Sequence, residues 1–440
     1  MEEIKASQRI LSRIRQREFR IWKMGNDLYE MNRDMPPENN NDVNCKSVEN
    51  SGESESGSSR KRSKSIQKQK LTFPTLIDHK HPHRRILMAV KTKPFLIMTG
   101  ICGTGKSRFS RTLAYQTCPK HLQENGQPGN FQIIAVQSDW HDSDGIIGWR
   151  NSHGIYQFTP FIHFLVKAWK YPNVPFILCL DEMNLAKVEM YFADFLSIIE
   201  SRHWVKGELT SDAFIPASQF RYCSDVDSGL WAKVGIKLDE GLQQRFLAKG
   251  LTLPPNLIVI GTANMDEAGN RFSMKVLDRA SIIEMPDVDF YNGIKSNDAD
   301  LKFPDDPIAM DQILGSMLYG REAYELFPKN GDLIITELRA LDRLLVESPF
   351  RFGYRFRDTA LIYCTYNLNL PGSVNDKESV YKYLDEVLLM KMLPRISGFK
   401  VNEKLIDNLL SFTKNKYPHC FKRLTQMKNT ANEFTGFSFW

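Results

Sequence analysis

The chain has 440 residues, 42% of them hydrophobic and 25% charged, with a formal net charge of +6. That length suits two folded domains and a tail, and the balance excludes a disordered or fibrous chain. No apolar run reaches the roughly 18 residues of a membrane helix, and the charge permits a polyanionic partner without demanding one.

The N-terminus reads Met1-Glu2-Glu3-Ile4-Lys5, with charges where a signal peptide has its apolar core. The seven cysteines are odd in number and form no C-x-x-C pair. They favour a reducing cytoplasm over a disulfide framework or a zinc ribbon.

Residues 4–31 are expected as one amphipathic helix. Leu11, Ile14, Ile21 and Leu28 form its stripe, and Arg13, Arg15, Arg17 and Arg20 lie around it. Pro36-Pro37 ends it, so residues 1–35 are an N-terminal element. Residues 36–83 read as a disordered basic linker, because Glu38 to Lys70 is Asn-, Ser-, Gly- and Lys-rich with little to bury. Its cluster Arg60-Lys61-Arg62-Ser63-Lys64, with Lys68-Gln69-Lys70, is either solvated linker or a nucleic-acid contact. His79-Lys80-His81-Pro82-His83 lacks a Cys or carboxylate at ligand spacing, so a solvated linker end is expected rather than a metal site.

After Pro82 short apolar runs alternate with helical ones. Strands are expected at Phe95–Thr99, Phe131–Val136, Phe176–Leu180 and Leu257–Gly261. Helices are expected at Lys106–Gln116, Phe158–Trp169 and Val188–Glu200. That alternation predicts an α/β fold, a parallel sheet with helices on both faces, over residues 84–300. The connection from His203 to Pro255 is long enough to be functional, and Trp204, Phe214, Phe220 and Trp231 suggest an ordered contact surface. Beyond about Asp305 the pattern is helical only, with helices at Leu333–Leu345, Thr359–Tyr366 and Val380–Met392. Residues 301–440 are therefore expected as an all-helical lid domain.

The chemistry starts at Gly100-Ile101-Cys102-Gly103-Thr104-Gly105-Lys106-Ser107, which fits G-x-x-x-x-G-K-[ST] between a strand and a helix. The glycines let backbone N–H groups face a phosphate. Lys106 supplies charge near the β- and γ-phosphates, and Ser107 a hydroxyl for Mg²⁺. The apolar run Phe176-Ile177-Leu178-Cys179-Leu180 then ends in Asp181-Glu182. Asp181 is placed to hold Mg²⁺ through water, and Glu182 to polarise the attacking water.

Asn264 ends the strand Leu257–Gly261 with its Thr262-Ala263 extension and can orient a water between Glu182 and the γ-phosphate. Arg279 follows in Lys275-Val276-Leu277-Asp278-Arg279-Ala280. It either points toward a neighbouring subunit's γ-phosphate or makes a surface salt bridge with Asp278.

Together these residues resemble the McrB-type branch of AAA+ proteins, the motor subunits of modification-dependent restriction systems. The resemblance runs from about Arg84 to Trp440. It is most specific at Leu180-Asp181-Glu182-Met183-Asn184-Leu185-Ala186-Lys187-Val188-Glu189, continuing through Tyr191-Phe192, Asp194-Phe195-Leu196 and Glu200. Next come Gly261-Thr262-Ala263-Asn264-Met265-Asp266-Glu267, Phe272-Ser273 and the run to Ala280, then Val136-Gln137-Ser138-Asp139-Trp140 with Gly148. Phe352-Gly353-Tyr354-Arg355, Leu393-Pro394-Arg395-Ile396-Ser397-Gly398 and the ending Gly436-Phe437-Ser438-Phe439-Trp440 resemble the family's helical domain and natural C-terminus.

The resemblance implies that Asn264 is the first sensor, Arg279 an arginine finger acting in trans, and Arg355 the lid arginine that reads the γ-phosphate. It further implies Mg²⁺ and a nucleoside triphosphate, ATP or GTP, with the base left open. It implies a ring-forming homo-oligomer, expected as a hexamer, with a separate McrC-like nuclease subunit and DNA reached through the complex. Ile101-Cys102 replaces the two prolines frequent in the family, and residues 1–83 are too short and polar for its DNA-reading domain. The chain shows no nuclease motif of its own. The expected function is a cytoplasmic NTPase motor of a DNA defence system. The alternative is a nucleotide-gated scaffold that assembles partners with slow turnover.

Overall fold

The computed structural model describes Ile10, Ser12 and Arg13 and then residues 77–440, apart from 153–154, 265–268, 286–300, 316, 399–400, 402 and 432–436. The expected N-terminal helix, beyond three residues in helical conformation, and the basic cluster of the linker lie outside the described residues.

Five apolar runs build the central sheet: β1 Phe95–Gly100, β2 Phe131–Ala135, β3 Phe176–Asp181, β4 Leu257–Asn264 and β5 Ser281–Glu284. Their spatial order is β5-β1-β4-β3-β2, and every neighbouring pair is parallel. β1, β3 and β4 are buried along nearly their whole length, as expected of strands covered by helices on both faces. All five C-terminal ends therefore open on one edge of the sheet, where ligands of such sheets bind.

Helices α1 Arg84–Thr92, α2 Lys106–Thr117 and α3 Pro160–Lys170 flank it. Proline suits the first turn of α3, and Thr159 caps it by accepting the Ile162 N–H. The helix starts two residues later than its periodicity suggests, because Tyr156–Phe158 pairs with Gly148–Arg150 as a hairpin. The helix expected at Val188–Glu200 is broken. It forms a turn at Val188–Tyr191 and then α4, Ala193–Ile198. The break falls at Phe192, buried against the rings of Phe95, Phe161 and Phe195. Aromatic packing overrides the continuous helical pattern there.

The linker expected over 36–83 does not hold for residues 77–83. Ile77 is buried and its N–H reaches Gln312, while the His79 N–H reaches the carbonyl of Pro371. His81 is buried as well, and His83 packs edge-on to Phe109 of α2. These histidines belong to the folded body and are not a solvated end.

The connection from His203 to Pro255 is ordered. His203–Val205 pairs with Glu208–Thr210 around Lys206-Gly207, both with positive φ, as a tight hairpin demands. Ala213–Ile215 pairs with Leu251–Thr252, and α5 Ala217–Val226 packs on α6 Glu240–Lys249. Its aromatic residues largely form a small core, with Phe220 stacked on Trp231 and Phe246, and Phe214 buried. Val205, Tyr222, Val226 and Leu238 are the large apolar side chains exposed there.

After α7, Met274–Arg279, and β5, the described residues that follow are mainly helical: α8 Gly320–Leu326, α9 Pro328–Leu344, α10 Tyr354–Leu368, α11 Lys377–Val387, α12 Glu403–Thr413 and α13 Pro418–Thr430. A π-helical stretch, Leu388–Met392, extends α11. The region is not helical only, because Ser397–Gly398 pairs with Phe437–Ser438. It joins the sheet body through one continuous apolar core. A buried polar knot adds to this, in which Arg84 at the start of α1 binds Glu386 and Asn367 and Tyr363 Oη donates to Glu386 at 2.6 Å. Among the described residues no helix is long and apolar enough to cross a membrane.

Candidate active site

The loop between β1 and α2 carries three glycines in conformations that L side chains rarely adopt, with φ of 145° at Gly100, 82° at Gly103 and 84° at Gly105. Gly105 caps α2, so the helix begins with its free N–H groups and positive dipole end facing the loop. Thr104 Oγ1 donates to Ile101 O at 2.9 Å, which closes the turn. Lys106 is buried, and its Nζ crosses the loop to donate to Gly100 O at 2.9 Å and Ile101 O at 2.8 Å. Ile101, Cys102 and Gly103 face solvent at the rim. The geometry is that of a phosphate cradle with one ammonium at its mouth.

Strand register brings the other residues to that rim. Asn264 is the register partner of Gly100, and Asp181 stands beside Thr262 at the end of β3. Ser107 Oγ donates to Asp181 Oδ1 at 2.6 Å, and Thr262 Oγ1 donates to the same oxygen at 2.7 Å. Ser107 and Asp181, oxygen donors in contact at the start of the phosphate-loop helix, make the hard oxygen set that Mg²⁺ prefers.

Glu182 takes a left-handed conformation with φ of 53°, which is costly for a residue with a side chain. Several contacts hold it there. Its N–H donates to Thr262 Oγ1 at 3.0 Å. The carbonyl of the next residue, Met183, accepts from Tyr191 Oη at 3.0 Å, and Trp140 packs edge-on against that tyrosine. Gly261 lies so close to Met183 that a Cβ there would come within 2.3 Å of its sulfur. The carboxylate of Glu182 is thereby turned out to solvent at the same edge as the phosphate loop.

Arg279 and Arg355 stand elsewhere. Ser281, two residues after Arg279, is the register partner of Leu96 near the start of β1. At about 3.3 Å per residue this puts Arg279 roughly 20 Å along the sheet from Gly100. Arg355 joins it there, its Nε 2.7 Å from Glu200 Oε2 and its guanidinium 3.1 Å from Asp278 Oδ2. Lys93, just before β1, binds the same Glu200, while Arg395 takes the other oxygen of Asp278. Arg279 is not paired with Asp278. Its Nε lies 3.9 Å from Glu200 Oε1, and its guanidinium donates back to Lys275 O at 2.9 Å. Burial alone would raise Glu200, but Lys93, Arg355 and Arg279 together hold it below the usual carboxylate range. Asp278 is likewise held low, chiefly by Arg395 and Arg355 against the cost of burial.

The structure thus brings Gly100 to Ser107, Asp181, Glu182 and Asn264 to one edge and leaves Arg279 and Arg355 together at the other. Sequence reasoning gave no role to Thr262, Glu200, Lys93 or Lys391. Thr262 and Glu200 fall within the quoted motifs, so position in those motifs was a signal. Lys93 and Lys391 carried none, because a lysine in an apolar context does not reveal its acceptors.

Residues 95–280 match the model of a family described as an AAA domain of the dynein-related subfamily. Residues 320–437 match a domain of unknown function, DUF8727. A solved structure from Cytophaga hutchinsonii, described as a "putative ATPase", aligns with a TM-score of 0.42 at 11% identity, covering 81% of this chain and 91% of that one. No curated protein matches.

Proposed function

We propose that this AAA+ P-loop NTPase works as the ring-forming motor subunit of a McrBC-like DNA restriction system, with a sheet-containing body over 84–300 and a lid over 301–440. The observation that carries the ring is the distance between the phosphate loop and the arginine pair. Arg279 and Arg355 lie together at the end of the sheet opposite the phosphate loop of their own chain, and that distance favours completion of each site by a neighbour's arginines. Two further cations then meet the γ-phosphate as charge develops on it. With ATP or GTP bound between the loop and that neighbour, Ser107 and Asp181 would hold its Mg²⁺, which would supply charge neutralisation on the phosphates. Glu182 takes the water's proton and Asn264 orients the water. A hexamer is the expected ring.

The presence of Glu182, Asn264 and Arg279 favours the motor reading over a slowly turning scaffold. The separate nuclease subunit and the contact with DNA rest on that resemblance. Purifying the tagged full chain from its source with bound partners tests the assignment. A nuclease subunit and nucleotide-dependent cleavage of DNA are expected. A nucleotide-dependent assembly that holds no nuclease and leaves DNA intact overturns it in favour of the scaffold.

A further inference from the structure

The end of α7 poses a problem that the active site does not solve. α7 has six residues, and its last carbonyls have no partner within the helix. They gather the negative end of the helix dipole just where Arg279 leaves the chain. One side chain reaches them. Lys391 Nζ donates to Leu277 O at 2.9 Å, Asp278 O at 3.0 Å and Ala280 O at 2.5 Å.

Lys391 is 2% exposed, and burial pushes its amine well below the usual lysine range. A buried amine without a carboxylate of its own is costly, and a methionine would fill the space without that cost. The three carbonyls explain the lysine, for they use all three of its N–H donors. Lys391 also lies in the π-helical stretch Leu388–Met392, a form of helix frequent at functional sites.

The same short run of chain also reaches the segment that packs on the phosphate-loop helix. Five residues before Lys391, Glu386 binds Arg84, and the adjoining His83 packs on Phe109 of the phosphate-loop helix, ring centroids 5.4 Å apart. Residues 386–391 therefore touch both the segment that lies on α2 and the end of α7.

We propose that Lys391 is a positioning residue for Arg279. By holding the last carbonyls of α7 it makes the aim of the arginine depend on where the C-terminal helices sit. The assignment rests on the reading that Arg279 serves a neighbour's site. Arg395 secures the same turn from the side, through Asp278 and through the Lys391 carbonyl at 3.1 Å.

The test is subunit mixing with Lys391→Met, which keeps the volume and removes the donors. Mixed with Lys106→Ala, which still offers a correctly aimed Arg279, the Lys391→Met chain supplies a working phosphate loop, and turnover is expected to recover. Mixed with Arg279→Ala, it is the sole source of the arginine, and turnover is expected to stay roughly 10²-fold lower, the cost of about 1 Å of misplacement. Equal turnover in the two mixtures, whether high or low, overturns the assignment, because a merely structural lysine has no donor side and acceptor side. The control is Lys106→Ala with Arg279→Ala. No recovery in that control overturns the shared-site reading and this assignment with it. Recovery there with equal behaviour of the Lys391→Met mixtures overturns this assignment alone. Should Lys391→Met give no folded protein, Lys391→Gln, whose two N–H donors sit one bond nearer the backbone and cannot hold all three carbonyls, goes through the same mixtures and is read in the same way.

Discussion

Thr262 Oγ1 donates to Asp181 Oδ1 at 2.7 Å and at the same time accepts the N–H of Glu182. One hydroxyl on β4 thus holds the carboxylate of Asp181 at the end of β3 and the backbone of Glu182 just after it. Thr262→Val keeps the shape and removes both bonds, leaving the strained backbone at Glu182 without its nearest restraint. Loss of a hydrogen bond to a charged group costs about 1.5–3 kcal/mol. Turnover is expected to fall by about tenfold or more, with nucleotide affinity little changed. Wild-type turnover in Thr262→Val, measured at saturating nucleotide, would show that the hydroxyl does not hold Glu182 in place.

Glu182→Gln keeps the phosphate cradle, since no loop contact passes through its side chain. It is expected to bind nucleotide with near wild-type affinity and to lose roughly 10²-fold or more in turnover, the contribution of a general base. Titration of a fluorescent nucleotide beside a phosphate-release assay separates the two effects. Hydrolysis at the normal rate would remove Glu182 from the catalytic role.

Arg279→Ala and Lys106→Ala are complementary. The first keeps its phosphate loop and is expected to bind nucleotide while losing about 10³- to 10⁵-fold in hydrolysis, the range for arginine fingers. The second loses the ammonium at the loop's mouth and is expected to lose tight binding. Mixed, they restore one complete site at the interface where each supplies its intact half. Turnover per wild-type chain is expected to rise with protein concentration. Mixed oligomers that form and stay inactive would rule out a shared site.

Glu200 and Asp278 tie the arginine pair to the sheet, and both titrate below their ordinary values of 4.5 and 3.8. Folded protein therefore binds fewer protons at these groups than unfolded protein does. Their contribution is present above those ordinary values and is lost as pH falls through the lower folded ones. Urea unfolding at stepped pH is expected to show stability falling below about pH 4.5, and a shallower fall in Glu200→Gln. The same slope in both proteins would mean that Glu200 contributes nothing to the acid response.

The sequence by itself determined the glycine-rich loop, the two carboxylates that follow the apolar strand and the α/β order of the body. Each is written in contiguous residues. The loop needs its glycines and Lys106 within one turn, and Asp181-Glu182 simply ends an apolar strand, so local pattern suffices. The tertiary structure alone decided what those residues touch. Strand register set Asn264 beside Gly100 and Thr262 beside Asp181, and no local signal fixes a parallel register across such separations. The break at Phe192 and the burial of Ile77 and His81 also came from packing against residues distant in the chain. Arg279 shows the division most clearly. Its motif marked it as a candidate, but a salt bridge with Asp278 fitted the spacing equally well. Only the folded chain gives Asp278 to Arg355 and Arg395 and leaves Arg279 at the far end of the sheet from its own phosphate loop, because charge pairing is settled by which helices meet and not by order along the chain.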